Sequence, residues 1–208
     1  RYWARSYAGW PRFAAARPNA AHEALARLEL AGRVAALVTQ NVDGLHQAAG
    51  SREGVELHGR LHRVRCLDCG GTASRADWQA LLQAANPAWT ATGAARPDGD
   101  MALADGDVDR LAVPGCPACD GMVKPDVVFF GEAVPAGVAQ AARDAVAGAD
   151  AVLVVGSSLM VFSGFRLVRD AAAAGLPVAA VNLGRTRAEH LLRFRVAGDC
   201  GSVLAALA

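Results

Sequence analysis

Cys66-Leu-Asp-Cys69 and Cys116-Pro-Ala-Cys119 are two C-x-x-C turns in a chain of 208 residues. Each turn can aim both thiolates at one ion, and two such turns supply the tetrahedral four-cysteine set of a structural zinc site. Disulfides would need an oxidising compartment that the sequence does not indicate, and a redox C-x-x-C would not account for two pairs. Four thiolates on Zn2+ leave a net charge of about −2. Arg63, Arg65 and Lys124 are close enough in sequence to be expected to offset it. A four-cysteine site is coordinatively closed, so this zinc is expected to hold structure and neither to bind substrate nor to activate water.

The stretch ELHGRLHRVRCLDC, residues 56–69, carries two more candidate ligands, His58 and His62, that a closed site leaves surplus. His62 alternates with Val64 and Cys66 on a strand leading into the zinc turn, which suits a scaffold role. His58 precedes Gly59 in a segment that returns towards the main sheet. A neutral imidazole there, with its ordinary pKa near ~6.5, is a candidate general base. His22 and His190 fall in helical stretches and read as surface residues, whereas His46, in a short helix ending at Gly50, reads as a packing residue. Cys200 stands alone and by default is a small buried side chain.

Three short apolar runs would position this chemistry: VAALV at 34–38, AVLVV at 151–155 and VAAV at 178–181. They alternate with Ala-rich helical stretches near 136–148 and 164–174, the pattern of a parallel sheet buried on both faces. Each run ends in a polar cluster, Thr39-Gln40-Asn41, Gly156-Ser157-Ser158 and Asn182-Leu183-Gly184, at the strand edge where open α/β sheets bind ligands. Residues 1–31 read as helical, with Asn19 capping a second helix that stops at Gly32. Between residues 59 and 126 the alternation stops, and 86–107 is rich in Gly, Pro and Asp, which reads as an exposed loop. The expected organisation is a Rossmann-like α/β part at 1–58, a small four-cysteine zinc domain with a long loop at 59–126, and the rest of the Rossmann-like part at 127–208.

Hydrophobic residues make up 53% and charged residues 20%, enough to bury a large core. A net charge of +1 gives no reason to expect nucleic acid or an anionic membrane as partner. No apolar run reaches the ~20 residues of a membrane span, and no secretory signal is visible. A cytoplasmic location is expected for a bacterial source, with the mitochondrial matrix left open. Asp105-x-Asp107-x-Asp109 imitates a calcium loop, but Arg110 stands where the loop needs Gly, and Cys116 where it needs Glu.

The order TQNVDGLHQAAG, ELHG, two C-x-x-C pairs, KPDVVFFGE, VGSSLMVFSG and VNLG resembles the sirtuin family over nearly the whole chain. The opening RYWARSYAGWPRF and the CLDCG turn look most like its class II branch, associated with removing lipoyl and other acyl groups from lysine. The resemblance implies NAD+-dependent deacylation of protein or peptide acyl-lysine, yielding nicotinamide and O-acyl-ADP-ribose. It implies that His58 deprotonates a ribose hydroxyl. Gln40, Asn41, Val42 and Asp43 would surround the nicotinamide ribose, Gly156, Ser157 and Ser158 the phosphates and ribose. Asn182, Leu183 and Gly184 would meet the adenosine ribose, and Cys200 the adenine end. Val128, Phe130, Gly131 and Glu132, with Val161 and Phe162, would flank the acyl-lysine.

Two family motifs, Gly-Ala-Gly-x-Ser and Pro-Asp-Phe-Arg, do not occur here. They would precede Arg1, so the first strand of the nucleotide-binding sheet is expected to lie outside this sequence. Two other functions stay open at this point: mono-ADP-ribosyl transfer from the same cofactor site, and a catalytically silent zinc-containing binding module. Preferred acyl group and oligomeric state are not legible.

Overall fold

The computed structural model describes residues 1–52, 54–90, 93–95 and 101–208. In chain order its elements begin with α1 (Tyr2–Ala14), α2 (Ala20–Leu30), β1 (Leu37–Thr39), α3 (Leu45–Ala48), β2 (Gly54–Glu56) and β3 (Gly59–Cys66). There follow β4 (Thr72–Ser74), α4 (Arg75–Ala85), β5 (Ala94–Ala95), β6 (Met101–Ala102), α5 (Asp105–Val108) and β7 (Val123–Val127). The chain closes with α6 (Ala136–Ala147), β8 (Val152–Val155), α7 (Phe162–Ala173), β9 (Val178–Val181), β10 (Phe194–Val196) and α8 (Cys200–Ala205). Two compact units result, residues 1–16 with 60–127 and residues 17–59 with 128–208. Among the described residues, no helix is long and apolar enough to cross a membrane.

The second unit carries the parallel strands. β1 pairs with β2, and β8, β9 and β10 form a three-stranded parallel sheet in the order β10-β9-β8. Val154, Val178 and Ala180 on one face of that sheet pack against Phe165, Val168 and Ala171 of α7. The three helix residues recur every third position, so one stripe of α7 is apolar while Arg166 and Arg169 point elsewhere. A second cluster joins Ala24, Leu25 and Leu28 of α2 to Leu37 of β1 and Leu204 of α8.

Residues 1–31 form two helices because Pro18 and Asn19 separate them. Asn19 accepts from the Ala21 and His22 amides, and His22 Nδ1 accepts from the Asn19 amide in return, a capping box worth about 1 kcal/mol. The sheet run expected at 34–38 starts only at Leu37. Gly32, at φ +70°, closes α2 in a left-handed turn, and the Arg33 and Val34 amides both donate back to the Leu28 carbonyl. Those amides are therefore spent on the helix end and cannot enter a ladder.

The first unit is built on the sheet β4-β3-β7, with Arg63 opposite Ser74 and Arg65 opposite Thr72 in antiparallel register. Trp3, Val64, Cys66, Trp78, Leu82 and Val123 form its core, and the Trp3 indole N–H donates to the Val123 carbonyl at 3.0 Å. Burying a side chain such as Leu82 contributes about 1.5–3 kcal/mol. Helix α1, assigned above to the Rossmann-like part, belongs to this unit, because its Trp3 indole completes this core. Arg75 is 1% exposed, with its guanidinium 5.2 Å from the Trp3 ring and 4.6 Å from the Trp10 ring. Burial brings its pKa down to about 10, still protonated at neutral pH, and the two ring faces supply the attraction that offsets desolvation.

Helix α4 interrupts the region expected to lack helix–strand alternation. Its start is set by the Ser74 hydroxyl, which accepts from the Asp77 amide at 3.0 Å. The stretch 86–107 read as loop holds β5, β6 and the start of α5, while its positions 91–92 and 96–100 lie outside the described residues.

Candidate functional site

The four cysteine sulfurs of the first unit lie within 4.8 Å of one another, and all four are free thiols. Cys66 and Cys119 are 3.5 Å apart, Cys69 and Cys116 3.9 Å. Tetrahedral Zn2+ with Zn–S bonds of about 2.3 Å needs S···S edges of about 3.8 Å, so the quartet fits the ion. The two turns hold each other: the Leu67 amide donates to the Met122 carbonyl, and the Met122 amide donates to Asp68 Oδ2 at 3.1 Å. Gly121 is required here, since a Cβ would fall 2.1 Å from Asp68 Oδ2. The Cys69 amide, chief among several donors, draws the Cys66 thiol down to about 7. Cys119 is pulled down by the Gly121 amide but pushed up to about 12 overall by its thiol neighbours and by burial. Crowded thiols that cannot all ionise alone are what a divalent cation relieves.

Arg63 and Arg65 do not serve this site. Both pair with Asp126, whose carboxylate draws them to the neighbouring strand. His62 does read as scaffold: its ring lies 5.6 Å from both Trp10 and Phe13.

In the second unit two of the three polar clusters meet at His58, through Gln40 and its partner Ser157. The Leu57 amide donates to the Thr39 carbonyl at 2.9 Å, which carries the pairing of β2 with β1 one residue further and sets His58 beside Gln40. His58 Nδ1 is 3.1 Å from the Gln40 carbonyl, and Nε2 is 2.7 Å from Ser163 Oγ. A carbonyl can only accept, so Nδ1 carries the proton and Nε2 keeps its lone pair. Nε2 is thus the basic atom, and the Ser163 hydroxyl donates to it.

Gln40 is fixed at both ends, its side-chain amide donating to Ser157 Oγ at 3.0 Å. Ser157 Oγ also accepts from the Leu159 amide at 3.1 Å. Asn41 is exposed, with its amide donating to Thr39 Oγ1 at 3.1 Å; Val42 and Asp43 are half-buried. Asp43 Oδ1 accepts from the Leu45 amide at 3.0 Å and starts α3. Gly156 turns at φ +60°, and Cys200 Sγ sits 3.5 Å from where its Cβ would be. Cys200 also donates to the Val181 carbonyl at 3.4 Å, while Asp199 caps α8 beneath it.

Asn182 and Gly184 bond each other through the Asn182 side-chain amide, and Leu183 stays exposed. Arg195 holds this turn by donating to the Asn182 carbonyl at 3.2 Å. Glu189 anchors Arg195 in turn; the Thr186 amide and then Arg195 itself keep its carboxyl below the ordinary range. Val128 joins the cluster through its amide, which donates to the His58 carbonyl at 2.9 Å. Beyond it the Phe129 amide donates to Glu132 Oε2, Gly131 turns at φ +92°, and Phe130 is 97% exposed. Val161 and Phe162 are also exposed.

His46 does pack, its ring 4.6 Å from His22, and burial followed by the His22 ring lowers its pKa, keeping it neutral at pH 7. Sequence reasoning missed Ser163, Gly164, Arg187, Glu189 and Arg195. A serine at the start of a helix reads as an ordinary terminus, and only the 105-residue separation closed by folding reveals its partner.

The Sir2 family model matches residues 1–163. An NAD-dependent protein deacetylase of Bordetella bronchiseptica is 60% identical over 206 residues, covering 99% of this chain and 75% of that protein. The NAD-dependent protein deacylase Sirt4 of Drosophila melanogaster is 46% identical, covering 98% of this chain and 66% of that protein. A solved Sir2 structure with a p53 peptide and NAD+ is 30% identical, at a TM-score of 0.75 over 92% of this chain and 69% of that chain. With the model match spanning most of its length and relatives this similar over nearly all of it, the chain belongs to the Sir2 family.

Proposed function

We propose that this protein is an NAD+-dependent protein-lysine deacylase that transfers the acyl group to ADP-ribose. The observation that carries the reading is His58, oriented by the Gln40 carbonyl with its basic Nε2 turned to a hydroxyl. The residues fit the cofactor. Gly156 takes a left-handed turn that favours glycine, Gly184 opens on free space, and Gln40, Asn41 and Ser157 bring amide and hydroxyl groups to the same strand edge. When bound, NAD+ supplies the electrophilic ribose carbon and the hydroxyl that accepts the acyl group.

His58 Nε2, now facing the Ser163 hydroxyl, would serve as the base for that ribose hydroxyl. The Gln40 carbonyl stabilises the imidazolium that forms, because Nδ1–H already points at it. Gln40 would orient the nicotinamide ribose and Ser157 the phosphate and ribose portion, and Val128, Phe130, Gly131, Glu132, Val161 and Phe162 would receive the acyl-lysine as an added strand. The exposed Phe130, Phe162 and Met160 favour long apolar acyl groups, so lipoyl-lysine is the finer substrate reading. The zinc takes no part in the reaction.

Mass spectrometry of an acyl-lysine peptide with the protein should show loss of the acyl mass only when NAD+ is present. Gain of ADP-ribose with the acyl group retained would favour mono-ADP-ribosyl transfer. Neither change, with zinc bound and fold intact, would favour a silent binding module.

Gly164 gives a sharper test of Gln40. A Cβ there would fall 2.6 Å from the Gln40 side-chain carbon and oxygen, the flexible end of that residue. Gly164→Ala is therefore expected to displace Gln40 from Ser157 at little cost to the fold, within about 1 kcal/mol in unfolding free energy. Turnover should fall at least about tenfold, since displaced positioning groups cost that much or more. Unchanged turnover would remove Gln40 from the site.

A further inference from the structure

Residues 157–163 cross from the cofactor-side turn to the acyl-lysine side, and one residue outside this stretch grips the crossing. The Arg187 amide donates to the Ser158 carbonyl at 2.8 Å, and its Nη1 donates to the Met160 carbonyl at 3.1 Å. Its guanidinium also lies 4.7 Å from the Phe165 ring centre and 5.6 Å from that of Phe162. Between the two gripped carbonyls, Leu159 is held at φ +55°, a conformation that a leucine keeps only where its surroundings impose it. The ends of the crossing are pinned elsewhere, at Ser157 by Gln40 and at Ser163 by His58.

From this geometry we infer that Arg187 is a positioning residue that sets the Met160–Phe162 wall for the acyl-lysine, independently of the cofactor side. The division follows from which atoms do the work. Ser158 is held by the Arg187 backbone amide, which any side chain keeps. Met160 is held by the guanidinium through a directed hydrogen bond, and Phe162 through a cation–π contact, a pairing that lysine reproduces only in part. The inference rests on the deacylase reading in taking Val161 and Phe162 to flank the acyl-lysine.

Arg187→Met and Arg187→Lys test it, with KM measured separately for acyl-lysine peptide and for NAD+. Binding of a fluorescent acyl-lysine peptide to the intact chain is followed by anisotropy. Arg187→Met is expected to raise both peptide KM and peptide Kd about tenfold, or about 1.4 kcal/mol, with NAD+ KM within about twofold. Arg187→Lys should fall between Arg187→Met and the unaltered chain. Parallel rises in both KM values, or an unchanged peptide KM in a folded variant, would overturn the inference. If Arg187→Met does not fold, Arg187→Lys alone carries the comparison. If the unaltered chain binds peptide without deacylating it, and Arg187→Met weakens that binding, the deacylase reading falls and the positioning role stands. Failure of the unaltered chain to bind the peptide would overturn both.

Discussion

His58→Ala is expected to lower NAD+-dependent deacylation about a thousandfold, the scale of a lost general base, with zinc content unchanged. The loss is chemical because the scaffold does not lean on the imidazole. The backbone carbonyl of residue 58 would still accept from the Val128 amide, and the Leu57 amide would still donate to Thr39. The Gln40 carbonyl and the Ser163 hydroxyl lose a partner in a half-buried place that water can reach, so destabilisation should stay near about 1 kcal/mol. Peptide and NAD+ binding should persist. Activity within tenfold of the unaltered chain would remove His58 as the base and leave Nε2 as a structural acceptor for Ser163.

Cys66→Ser acts on the other unit and through stability. Removing one of four ligands forfeits most of a zinc binding free energy of about 10–16 kcal/mol, comparable with the whole stability of a domain. Cys66 is also a core residue beside Trp3 and Trp78, so its loss reaches the core of the first unit directly. The four tryptophans, Trp3, Trp10, Trp78 and Trp89, all fall in that unit. Tryptophan emission therefore reports on it alone, and Cys66→Ser should shift emission to the red as zinc is lost, while the second unit keeps its helical signal. A metal-free variant with native emission and cooperative unfolding would show that zinc is dispensable.

How much of this was legible depended on whether the signal was local. The C-x-x-C spacing encodes its own geometry, so the zinc quartet could be read directly. β8 and β9 announced themselves as apolar runs because both faces are covered, and the Asn19 cap announced α2. β2 and β10 did not, since each is three residues long with a charged member, Glu56 or Arg195, and becomes a strand only beside its partner. Arg63 and Arg65 were misread for the same reason: proximity in sequence pointed to the cysteines, while Asp126 on another strand claimed both. His58 is singled out by its family context, and its orientation by Gln40 and Ser163 needed coordinates.

The central claim is that the acyl group moves to ADP-ribose through His58 while the closed four-cysteine zinc stays out of the chemistry. A peptide bearing a 13C-labelled acyl carbonyl on lysine, incubated with the protein and NAD+, tests it most directly. The label is expected to leave lysine only when NAD+ is present and to appear on ADP-ribose, one per nicotinamide released. Label released as free carboxylate without NAD+ would mean simple hydrolysis and would contradict the account.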